Sequence, residues 1–190
     1  METPTNANHL SEVSELLSIQ SIESVNRFVR EIYNTLINGG SLFVCGNGGS
    51  SAIAFHFVTD LVKIAIDTKF SFPVFALGSN PALMTMISND YGYEASFELE
   101  LKAIGRQRDT LFAISSSGNS KNILNAVDFA NEFGIKTIGL VGFDGGLLAP
   151  RCTSILQVKT PIGSYARVED VHSTICHDIS IKLREIMEKL

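Results

Sequence analysis

SLFVCGNGGSSAIAF, residues 41–55, decides the fold. An apolar run with strand character over Ser41 to Cys45 breaks into glycine and serine, and then resumes at helical spacing from about Ser50 to Ile66. A buried strand that feeds a helix through such a turn belongs to a parallel sheet, and open α/β sheets bind ligands at the ends of these strands. The glycines let the backbone approach a ligand, while the first turn of the helix offers unpaired N–H groups and a partial positive charge. Taken alone, the loop also reads as a tight turn with Ser50 as N-cap. It lacks the Lys-Ser/Thr ending of a nucleotide P-loop, and G-x-G-x-x-G is incomplete after Gly48, so no nucleotide cofactor is expected.

TLFAISSSGNSKNIL, residues 110–124, repeats the design at a second strand end. Ser115, Ser116, Ser117 and Ser120 surround Gly118 and Asn119, and hydroxyls with helix N-terminal amides hold a phosphate without a buried lysine. Lys121 adds only an outer charge. The two loops together point to a sugar phosphate.

Outward from these loops the chain alternates. Leu10, Val13 and Leu17, then Ile22, Val25, Val29, Ile32 and Leu36, mark one long or two short amphipathic helices ended by Asn38-Gly39-Gly40. After the first loop come a strand at Pro73 to Leu77 and helices at Pro81 to Ser88 and Tyr93 to Ile104. The second half holds a strand at Thr110 to Ser115, a helix at Lys121 to Phe133, a strand at Lys136 to Val141, a turn of helix near Leu147 and a strand at Ser154 to Val158. A helix from about Ala166 to Lys189 closes the chain. This order predicts a three-layer α/β/α sandwich around a parallel sheet, with a helical N-terminal segment. Residues 9–190 are read as one domain, and the first eight as disordered.

The hydrophobic fraction of 45% and mean hydropathy of +0.19 are high for a single globular unit, so apolar surface is expected between copies of a homo-oligomer. No apolar stretch approaches the ~20 residues of a membrane span, and METPTNANHLSEVSELL reads neither as a signal nor as a transit peptide. The expected location is the cytoplasm, without a membrane partner. A net charge of -5 leaves no basic block for a nucleic acid. Cys45, Cys152 and Cys176 are odd in number and widely spaced, and are expected to be inert thiols.

The two loops, with NDYG at 89–92, VGFDGG at 141–146 and ARVEDVHSTICH at 166–177, closely resemble the phosphoheptose isomerase branch of the sugar isomerase (SIS) domain family. The resemblance spans about residues 10–188. It implies a homotetramer of flavodoxin-like subunits with active sites at subunit contacts, often with zinc, that interconverts sedoheptulose 7-phosphate and a heptose 7-phosphate. Asn47, Gly48, Gly49, Asn89 and Asp90 resemble the residues that line the sugar, and Ser115, Ser116, Ser117 and Ser120 the phosphate cradle. His56 matches a zinc ligand, and His177 a histidine that serves as ligand or catalytic acid. Asp60 stands where the family usually has a glutamate that is base and ligand, and Glu169 where it usually has glutamine.

Aldose–ketose isomerisation moves a proton between neighbouring carbons through an enediol, which needs a base at the carbons and an acid or metal at the oxygens. His56 and Asp60, four apart on one helix, share a face; they form either a catalytic pair or a helix-surface hydrogen bond. Aspartate withdraws its oxygens by about 1.3 to 1.5 Å relative to glutamate, a misplacement that costs a catalytic group about 100-fold. The base role is therefore assigned to Glu169, with Asp60 kept as a metal ligand or as the group that orients His56. Glu169 and His177 are eight residues apart, about 12 Å along a helix, which does not suit one metal on one rigid helix. Either Glu169 lies in a lead-in before the helix, or the two residues serve different subunits. His172, about 140° around the helix from His177, is read as structural or as an interface contact. Arg167 steers the phosphate or pairs with Glu169. His56, Asp60, Glu169 and His177 together form a zinc-capable set. Other readings are an isomerase of another ketose or amino-sugar phosphate, and a non-catalytic sugar-phosphate sensor or protein-binding module.

Overall fold

The computed structural model describes residues 8–68 and 70–189. Apart from Asn8, the expectation for the first eight residues lies outside the described residues. The N-terminal segment is two helices, α1 (His9–Ser18) and α2 (Ile22–Ile37), each with a side-chain cap, from Asn8 and Ser21. Then follow β1 (Leu42–Cys45), α3 (Gly49–Thr68), β2 (Val74–Ala76), α4 (Pro81–Tyr91), α5 (Ser96–Ile104) and β3 (Thr110–Ser115). α6 (Lys121–Phe133), β4 (Lys136–Gly142), β5 (Ser154–Val158) and α7 (Tyr165–Met187) complete the chain, with single 3₁₀ turns at Tyr93–Ala95 and Ala149–Arg151.

The five strands are all parallel, in the order β2-β1-β3-β4-β5, the flavodoxin-like order. Side-chain alternation divides the interior into two layers. Leu42, Val44, Phe112, Ile114, Ile138, Leu140, Leu156 and Val158 face α2, α3 and α7. Phe43, Cys45, Leu111, Ala113 and Val141 face α5 and α6. Phe112 anchors the first layer, with edge contacts to Phe28 at 5.7 Å and Phe57 at 5.6 Å.

α3 overturns one expectation: by length and composition it is apolar enough to cross a membrane, with a mean hydropathy of 1.3 over its window. Ala54, Phe57, Leu61 and Ile64 are buried in the domain core, whereas Phe55, Val62 and Ile66 are exposed. The helix is apolar on more than one face, and this chain covers only part of it.

Burial raises the thiol pKa of Cys45 and Cys176, and pushes Cys152 up to about 12, so all three free cysteines are poor nucleophiles. His172 is wholly buried on α7, and neither ring nitrogen has a hydrogen-bond partner among the described residues. Burial depresses it to about 4, a shift the Val141 backbone partly opposes. It is structural and held neutral. The unfolded chain takes up this proton near pH 6.5 and the folded chain only near 4, so stability falls as pH drops through that window. His172→Leu is expected to retain the fold and to shrink the loss of Tm between pH 7 and pH 5, measured by thermal denaturation across that range.

Candidate active site

β1 and β3 lie side by side, with Cys45 paired to Ala113, so both loops emerge together at the switch point of the sheet. They enclose a cavity of about 150 Å³ lined by Asn47, Ser50, Ser115, Ser116, Ser117, Ser120, Tyr165 and Glu169, with Ile114 and Ile123. Gly118 has a φ of +64° and sits so close to the next loop that a Cβ would overlap the Gly145 carbonyl. That contact explains VGFDGG: Gly145 and Gly146 back the serine loop, while Leu148 N–H donates to Gly118 and Leu147 N–H to Asn119.

The hydroxyl hydrogens of the cradle are uncommitted. Ser115 and Ser117 accept from the N–H groups of Gly118 and Asn119 through their Oγ atoms, which leaves each free to donate. Ser120 holds the N-cap position of α6 without a capping bond. Ser116 is 5% exposed, and its Oγ has no partner among the described residues. A buried orphan hydroxyl beside a helix N-terminus suits an anion. Ser50 is not the N-cap: α3 begins at Gly49, which puts Ser50 within the first turn, on the cavity wall.

Glu169 enters from α7. The helix starts at Tyr165, so Glu169 belongs to it and not to a lead-in. Its carboxylate lies over Gly49, where a Cβ would overlap it. Burial, and secondarily Asp170, raises its pKa above the usual carboxylate range. Arg167 pairs with Glu12 of α1, neither with Glu169 nor in the cavity. Nearby, His9 Nε2 lies 2.6 Å from Asp170. Asn89 and Asp90 bond to each other at the exposed end of α4 and do not line the cavity, and neither does the exposed Lys121.

A second group lies further along the α3–α7 seam. His56 Nε2 and His177 Nε2 are 2.9 Å apart, and Asp60 Oδ2 is 3.7 and 3.9 Å from them. One ligand atom from each falls within 4.8 Å of the others. Tetrahedral zinc with bonds near 2.0 to 2.1 Å separates its ligands by about 3.3 Å, a value these distances straddle, and the nitrogen and carboxylate donors suit it. Glu169 is not in this cluster. The four residues grouped as zinc-capable therefore divide between the serine cavity and a three-residue cluster.

The SIS domain family matches residues 7–142, and the chain belongs to that family. Within it, the similar relatives are phosphoheptose isomerases. That of Haemophilus ducreyi is 34% identical over 90% of this chain and 87% of its own length; that of Aliarcobacter butzleri is 39% identical over 78% and 80%. The solved phosphoheptose isomerase of Neisseria gonorrhoeae aligns at a TM-score of 0.83 with 31% identity, covering 92% of this chain and 95% of that one.

Gly49→Ala tests the contact between the first loop and Glu169. Its Cβ meets the end of a flexible side chain, so stability should hold while the displaced carboxylate lowers kcat by about 100-fold. Steady-state kinetics and thermal denaturation on the same preparation check both halves.

Proposed function

We propose that the chain interconverts sedoheptulose 7-phosphate and D-glycero-heptose 7-phosphate through an enediol. The supporting observation is the order of groups along the α3–α7 seam: serine cradle, then Glu169, then the His56–Asp60–His177 cluster. With the phosphate on the serines, the far carbons of an extended seven-carbon chain lie roughly 9 to 10 Å away at ordinary bond lengths. His177 lies about 12 Å along α7 from Glu169. In this reading the reacting carbons lie between the Glu169 carboxylate on one side and the histidines on the other.

In this reading Glu169 takes the proton from the carbon beside the carbonyl. The bonding pair moves into the new carbon–carbon double bond, and the carbonyl oxygen receives a proton from His177. The resulting enediol collapses when Glu169 returns its proton to the neighbouring carbon and His177 recovers one from the other hydroxyl. A raised pKa suits Glu169 to both halves of this exchange. In the metal-loaded protein His56, Asp60 and His177 would hold zinc, whose Lewis-acid polarisation of the substrate oxygens would take the place of proton donation by His177. The exposed Phe55, Val62 and Ile66 support a homo-oligomer, tetrameric in the proposal, in which another copy covers α3. Three free thiols accord with a cytoplasmic location.

Glu169→Gln decides the base. A carboxyl whose folded pKa is raised destabilises the fold once pH exceeds that pKa, and the penalty disappears as pH falls through it. The variant should lose at least 100-fold in kcat on sedoheptulose 7-phosphate yet gain Tm at neutral pH, the gain shrinking toward pH 4. Near-normal turnover in Glu169→Gln, with turnover abolished in Asp60→Asn, would transfer the base role to Asp60. For the metal, elemental analysis of protein purified without added ions should find zinc, and chelation should lower turnover; full activity in a metal-free sample excludes a required ion.

A further inference from the structure

Asn47 is tied into a chain of hydrogen bonds whose direction is determined. Asn122, 2% exposed on the first turn of α6, accepts the Ile123 backbone N–H at 3.1 Å through Oδ1. A backbone N–H only donates, so that atom of Asn122 is the oxygen. The same oxygen accepts Asn47 Nδ2 at 2.8 Å. Asn122 Nδ2 returns a bond to Asn47 Oδ1 at 3.0 Å and reaches Ser96 Oγ at 3.3 Å. Tyr93 Oη adds a second donor to Asn47 Oδ1 at 2.7 Å. The Asn47 oxygen is thereby saturated, and one of its two N–H groups is spent. What remains for the cavity is a single N–H.

We infer that Asn122 and Tyr93 are positioning residues that lock the Asn47 amide with its oxygen turned away and one N–H offered to the sugar. The site then reads an acceptor at that place, a hydroxyl or carbonyl oxygen, and gives nothing to an ammonium group, which only donates. This rests on the serine cavity being the sugar-phosphate site.

Tyr93→Phe removes one of the two donors to Asn47 Oδ1 at little risk to a half-exposed position. It should lower kcat/KM on sedoheptulose 7-phosphate by about 10-fold and cost nothing further in an Asn47→Ala background, since the tyrosine acts only through Asn47. Asn47→Asp, which offers acceptors alone, should lose at least as much as Asn47→Ala. An equal loss from Tyr93→Phe in both backgrounds, no loss in the parent, or an active Asn47→Asp overturns the inference. A parent enzyme inert toward this sugar overturns the function proposed above instead. The lock is then judged in ¹⁵N-labelled protein: Tyr93→Phe should shift the Asn47 side-chain amide signals, identified by their loss in Asn47→Ala, and unmoved signals overturn it.

Discussion

Everything at this site depends on β1 and β3 pairing in parallel, in register, at the middle of the sheet. Cys45 opposite Ala113 brings two chain segments nearly seventy residues apart to one edge, and each turns there into a helix. The N-termini of α3 and α6 therefore face one small volume, with hydroxyls in place of basic side chains around it. A shift of one residue along either strand would exchange the two faces of that strand, moving Phe112 or Val44 out of the layer under α3 and α7. The register that builds the core is also the register that assembles the cradle.

The second constraint is the approach of α3 to α7. A glycine at 49 leaves open the space that the Glu169 carboxylate occupies, where any Cβ would overlap it. Burial there makes the carboxylate harder to ionise, an unfavourable term for the fold that suits a group required to accept and release a proton. His172, three residues further along the same helix, is likewise held uncharged by burial. It belongs neither to the cavity lining nor to the His56–Asp60–His177 cluster.

Most of the fold was legible from periodicity. β3, α6 and β5 occupy the spans that their apolar runs predict, because strong patterns there end in unambiguous serine, glycine or proline signals. The misreadings have local causes. Ser50 is a candidate cap because its residue type favours that role, but α3 begins at Gly49, two residues before a Ser50 cap would allow. α3 does not read as an apolar span because His56, Thr59, Asp60 and Lys63 interrupt every uniform run, although its average hydropathy is high. Tyr93 and Asn122 carried no signal at all: their part in the site consists of contacts 46 and 75 residues distant in sequence.

The paired departures at 60 and 169 become intelligible in this geometry. Asp60 lies with His56 and His177, where a shorter carboxylate still reaches both imidazoles within 3.9 Å. A carboxylate meant to contact substrate carbons beyond those rings would need the missing methylene. Glu169 stands nearer the cradle, facing the volume into which a sugar chain extends, and unlike glutamine it exchanges a proton. Asp60 gives up reach and Glu169 supplies proton affinity, each at the end of the seam where the proposed reaction uses that property. In the proposed reaction the base therefore stands at the end of the seam beside the serine cradle, and the acid or metal at the end that holds the histidines.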